Sequence, residues 1–111
     1  MIIELTRKYI DAFTRKDIKT IESLMCEDFD LEDPVVKRLE GRFKAIEAME
    51  NIFASCHHLD FRAKNIYLVK PNTTIIEFSL QLDNTHLQGV DIIEWKNNKL
   101  KEIRAYLDIP K

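Results

Sequence analysis

From Ile2 the apolar positions return every three or four residues, at Ile2, Leu5, Tyr9, Ala12 and Phe13. That spacing predicts an amphipathic helix running to about Thr14, closed by positive charge at Arg15 and Lys16. Asp17 then reads as the N-cap of a short second helix carrying Ile18, Ile21, Leu24 and Met25. FDLED (29–33) alternates as a strand and stops at Pro34. After Gly41 a third helix is predicted from about Phe43 to Ser55, with Phe43, Ile46, Met49, Ile52 and Phe53 on its inner side. From Leu59 the period changes to two. Strands are predicted over 61–69, 74–82, 86–95 and 100–107, with turns at Lys70–Thr73, Asp83–Thr85 and Lys96–Lys99. Three helices followed by an antiparallel meander predict an α+β fold, with the helices on one face of a curved sheet and FDLED at a sheet edge. The 111 residues contain no repeat, low-complexity segment or linker, so one domain over 1–111 is expected.

Two acids break the pattern. Phe29, Leu31 and Asp33 share one face of FDLED, while Asp30 and Glu32 take the other. On the strand over 86–95, Leu87, Gly89, Asp91, Ile93 and Trp95 share a face. Its other face, with His86, Gln88, Val90, Ile92 and Glu94, is mixed, so the pattern leaves open which side meets the core. A carboxyl among hydrocarbons either finds partners or stays protonated, and a protonated one can donate a hydrogen bond. Gly89 leaves room beside that carboxyl or bends the strand. Tyr9 is the third candidate, an inward phenol that needs a partner for its hydroxyl. The three groups converge if the helices cap the sheet. Each also has a structural reading: Asp33 as a strand-to-turn device before proline, Tyr9 as a core residue, Asp91 as an outward residue on a two-sided strand.

Composition narrows the partners. Net charge is −2 with both signs interspersed, which argues against nucleic acid or an anionic membrane. No apolar run exceeds four residues, so none is expected to span a bilayer. MIIELTRKYIDAF reads as a helix and not as a signal peptide. Cys26 and Cys56, without a CxxC pair, read as two reduced thiols in a cytoplasmic protein. Cys56, His57, His58 and His86 form a nominal metal set, but adjacent histidines on an extended segment point to opposite sides. The triplet fits a helix end better, and no metal is expected.

Three motifs in order, RKYIDAF (7–13), LEDPV (31–35) and GVDIIEW (89–95), resemble the ketosteroid isomerase and SnoaL-like branch of the nuclear transport factor 2-like superfamily. The final IRAYLD (103–108) resembles the family's last strand, so the likeness covers nearly the whole chain. It implies a cystatin-like cone, with three N-terminal helices on the concave face of a curved, mostly antiparallel sheet. It also implies three catalytic roles. Asp33 matches the general base before proline, Tyr9 the oxyanion-hole tyrosine, and Asp91 the protonated oxyanion-hole aspartate. The implied chemistry is cofactor-free proton transfer beside the carbonyl of a small apolar ligand, by an isomerase or a polyketide-cyclase-like enzyme. A non-catalytic ligand-binding or interaction domain is the alternative, and a dehydratase or epoxide hydrolase a third. One departure concerns the third helix, AIEAMENIF, where Met49 and Glu50 stand in the region from which steroid isomerases supply a pocket tyrosine. A glutamate turned inward there would not suit a sterol. Family members often dimerise through the open sheet face, which implies a homodimer, with Trp95 and neighbouring apolar residues on that face.

Overall fold

The helical stripe and the later alternation both become regular structure in the computed structural model, which describes residues 1–108. The order is α1 Ile2–Thr14, α2 Ile18–Leu24, β1 Met25–Asp33, β2 Lys37–Glu40 and α3 Arg42–Ala54. Then follow β3 Leu59–Leu68, β4 Thr73–Leu82, β5 Thr85–Lys96 and β6 Lys99–Leu107. α1 buries Thr6, Tyr9, Ala12 and Phe13 along one stripe. Asp17 caps α2 by accepting the Thr20 backbone N–H at 3.2 Å. Gly41 precedes α3 at φ +96°, a conformation that a side chain would strain. Asn97 and Asn98, at φ 52° and 62°, supply the two positive values that a tight β5–β6 hairpin requires.

The strands form one curved, unclosed, mixed sheet in the order β2-β1-β6-β5-β4-β3. β1 and β6 run parallel; the other neighbours are antiparallel. Helices α1 and α3 pack on the face that carries Thr74, Ile76, Phe78 and Leu80, and α2 packs on both. Polar contacts fix α1 there. The Thr14 hydroxyl donates to the Phe61 carbonyl and accepts its N–H, both at 3.0 Å, which satisfies backbone groups of the edge strand β3. Lys16 crosses to α3, where its ammonium donates to the carbonyls of Phe53 and Cys56 at 2.8 and 2.5 Å. A cation thus meets the negative end of that helix. No helix among the described residues is long and apolar enough to cross a membrane.

Three sequence expectations change. FDLED belongs to a longer strand that lies inside the sheet, between β2 and β6, and not at an edge. The edge is β2, whose sequence KRLE shows no alternation because a charged edge strand needs to bury little. On α3 the buried row is Ala45, Met49 and Phe53, while Phe43 is 75% exposed. Phe43 lies two residues before Ala45, about 200° around the helix, so it faces away from the sheet. Trp95 is 4% exposed and cannot serve a surface for a partner.

The reason is a buried chain of hydrogen bonds. The Trp95 indole N–H donates to Thr74 Oγ1 at 2.9 Å. Thr74 Oγ1 lies 2.9 Å from Thr6 Oγ1, and Thr6 donates to the Ile2 carbonyl at 2.7 Å. Since the Thr6 proton goes to Ile2, Thr74 must donate to Thr6. Every donor is used. The chain ties α1 to β4 and β5, and no side-chain polar atom that is fully enclosed lacks a partner among the described residues.

Thr74→Val keeps the shape and removes both contacts, stranding the indole N–H. Urea unfolding is expected to show a loss of about 1–3 kcal/mol. A loss below about 0.5 kcal/mol would show that the chain contributes nothing to stability.

Candidate functional site

Cross-strand register places the two unusual aspartates. Asp91 stands opposite Ile76 on β4 and Ala105 on β6, so it belongs to the core face. On the other side of β6, Glu32 pairs with Arg104 in the parallel ladder, and one step further brings Asp33 beside Ala105. The row across three strands is therefore Asp33, Ala105, Asp91. Neighbouring strands are spaced by about 4.8 Å, which puts the two aspartate α-carbons on the order of 10 Å apart. Ala105 is the residue between them in that row.

Tyr9 enters from α1. Its ring packs on Phe13 and edge-on to Phe61, with centroids at 5.9 and 6.1 Å. Phe61 in turn meets Phe78 at 4.9 Å. Tyr9, Asp33 and Asp91 line one cavity of about 70 Å³, closed on the helix side by Phe13 and Met49 and on the sheet side by Phe61, Phe78 and Ile103. The three candidates converge. A second, wider space of about 500 Å³ adjoins it, bordered by Val35, Val36, Ala48, Leu82 and Leu87. The two spaces share Leu31, Asp33, Ile52, Leu80 and Leu107.

Environment divides the polar groups. Asp91 is 5% exposed, and its pKa is raised to about 7, first by burial and then by the negative charge of Asp33. Tyr9 is pushed well above the usual phenol range by burial and then by Asp91, so it remains a neutral donor. Neither the Tyr9 hydroxyl nor the Asp91 carboxyl has a hydrogen-bond partner among the described residues. Asp33 is different. Its Oδ1 accepts the backbone N–H groups of Val35 and Val36 at 2.8 and 2.7 Å, the turn-forming role its place before proline suggests. Its other oxygen makes no hydrogen bond within the described residues, and the side chain borders both spaces.

Gly89 does not leave a gap beside Asp91. A Cβ there would run into the Tyr106 carbonyl oxygen and stand 3.1 Å from the Phe78 ring, so close packing of β6 and Phe78 already fills the place. Met49 lines the cavity, while Glu50 is exposed and borders a groove with Glu22. The cysteine and histidine candidates disperse. Cys56 is buried, His57 and His58 are exposed with their backbone N–H groups on Asp83, and His86 is exposed on β5. Ala105 is the lining residue easiest to overlook. Its only signal in the sequence is parity, since it shares a face of β6 with Ile103 and Leu107.

The sign of Asp91's effect on stability follows from its shift. Its folded pKa of about 7 lies above an unfolded value of about 3.9. Between these values the native state holds the extra proton, so stability falls as pH rises from about 4 to about 7. Below the window the group adds no penalty; above it the penalty of a buried charge is complete. Asp91→Asn removes the titration. Urea midpoints between about pH 4 and 8 are expected to show wild type falling relative to the variant by on the order of a few kcal/mol. Parallel curves would mean that Asp91 titrates as it does in the unfolded chain.

The family model for the SnoaL-like domain matches residues 6–103. The fold is shared with an NTF2-like protein of unknown function from Cytophaga hutchinsonii, at a TM-score of 0.84 and 12% identity, covering 97% of this chain and 90% of that one. A provisionally assigned ketosteroid isomerase from Kribbella flavida gives 0.83 at 18% identity, covering 97% of this chain and 78% of that one. An LEH-like epoxide hydrolase from M. tuberculosis gives 0.78 at 14% identity, covering 96% and 81%. At these identities the likeness is one of fold. No match is found among curated proteins. With the family model spanning most of its length, the chain belongs to the SnoaL-like domain family.

Proposed function

We propose that the chain is a cofactor-free isomerase or cyclase that moves a proton beside the carbonyl of a small apolar compound. The observation that carries this proposal is the convergence of Tyr9, Asp33 and Asp91 on one otherwise apolar cavity. Asp33 takes the α-proton on its uncommitted oxygen, and the C–H electron pair moves into an enolate. The developing oxyanion accepts hydrogen bonds from the Tyr9 hydroxyl and from protonated Asp91. Asp33 then returns the proton at another carbon. This division of roles between like groups follows the resemblance to ketosteroid isomerases, and the raised pKa of Asp91 supports it. Burial that keeps Asp91 protonated also leaves the donors undamped by water.

The same proposal takes the helices to line the concave side of the sheet, with the cavity at the bottom of a cone. It includes a homodimer through the outer sheet face, where Ile75 pairs with Ile92 and Val90 with Tyr106. Sedimentation equilibrium that returns a monomer at micromolar concentration would remove that part. A non-catalytic ligand-binding domain is the second reading, favoured by the turn that already occupies Oδ1 of Asp33.

Kinetics with a panel of β,γ-unsaturated ketones and polyketide-like compounds tests the chemistry. With a compound that turns over, Asp33→Asn is expected to keep the fold and lower kcat by roughly 10² or more. Tyr9→Phe is expected to weaken binding of a phenol, which mimics the enolate, by about 1–3 kcal/mol. Undiminished turnover in Asp33→Asn would remove Asp33 from the mechanism, and a panel in which no compound turns over would support the non-catalytic reading.

A further inference from the structure

The three polar groups are not spread evenly over the two spaces. Tyr9 and Asp91 border only the inner cavity, whereas Asp33 borders both. Given the proton-transfer proposal, the carbonyl oxygen lies deepest and the carbon that loses its proton lies where the spaces meet. The rest of the ligand then has one way to go, outward.

The volumes set its shape. The inner 70 Å³ is about two waters' share of liquid, enough for a carbonyl and its immediate neighbours. The outer 500 Å³ is within the ordinary range for a small-molecule site, and Val35, Val36, Leu82 and Leu87 make its border largely apolar. The inner walls have little room to yield. Phe61 and Phe78 pack edge-on at 4.9 Å, Ile103 is 1% exposed, and β6 already presses on Gly89 beside Phe78. Atoms added next to the carbonyl would have to displace this packing; atoms added at the far end would not.

We infer that the substrate is a narrow-headed carbonyl compound, with unbranched, unfused carbons beside its carbonyl and an apolar body trailing into the outer space. The inference rests on the proton-transfer proposal and fails separately from it. Calorimetric titration of the protein with phenol, 4-butylphenol, 2,6-dimethylphenol and 3,5-dimethylphenol tests it. Each methylene at the 4-position is expected to tighten binding by about two- to fourfold. The 2,6-isomer is expected to bind about tenfold or more weakly than phenol, and more weakly than the 3,5-isomer. In Met49→Ala, or Met49→Val if the smaller residue does not fold, the 2,6 penalty should shrink to about threefold or less. An unchanged penalty there would assign the loss to crowding of the hydroxyl itself and overturn the inference. So would a 2,6-isomer that matches phenol on wild type, or a butyl chain that adds nothing, with the proton chemistry left standing. If no phenol binds, both fall.

Discussion

Keeping the Asp91 carboxyl dry is the constraint on which the site depends. A carboxyl in water at neutral pH is an anion and only accepts hydrogen bonds. Here Ile76, Ala105 and the aromatic group of Phe61 and Phe78 surround it, and the pKa rises to about 7. The same burial keeps the Tyr9 phenol neutral. Much of the surrounding packing serves that dryness. Gly89 lets β6 and Phe78 close in, and the threonine chain at the far end of β4 seats α1 on the sheet.

Under the proton-transfer proposal, Asp33 combines a structural role and a chemical one in a single carboxyl. One oxygen folds the turn after β1, the other makes no hydrogen bond within the described residues, and the side chain borders the cavity. Two backbone donors hold the group in one orientation, as the proposed base would need.

Much of this was legible in the sequence, because α1 and β4 each bury one clean stripe and local period reports that directly. Apart from β2, the element order and the three candidate residues came from such stripes and their exceptions. What stayed hidden was decided by neighbours across the sheet. Both faces of β5 are mixed, so its inner side is set by Ile76 and Ile103, which are far away in sequence. β2 escaped because KRLE has a single apolar residue, and without β2 the strand FDLED looks like an edge. Phe43 misled because a helix that starts at a glycine turn can present its first aromatic to solvent. In each case residue type was informative and direction was not.

The burial of Trp95 has an optical consequence. It is the chain's single tryptophan, and its indole is joined through Thr74 to Thr6 of α1. When α1 lifts from the sheet, water reaches the indole and the shared proton chain breaks. The protein therefore carries its own fluorescent gauge of helix docking. A red shift in emission would report the opening of the helical layer separately from the unfolding of the sheet.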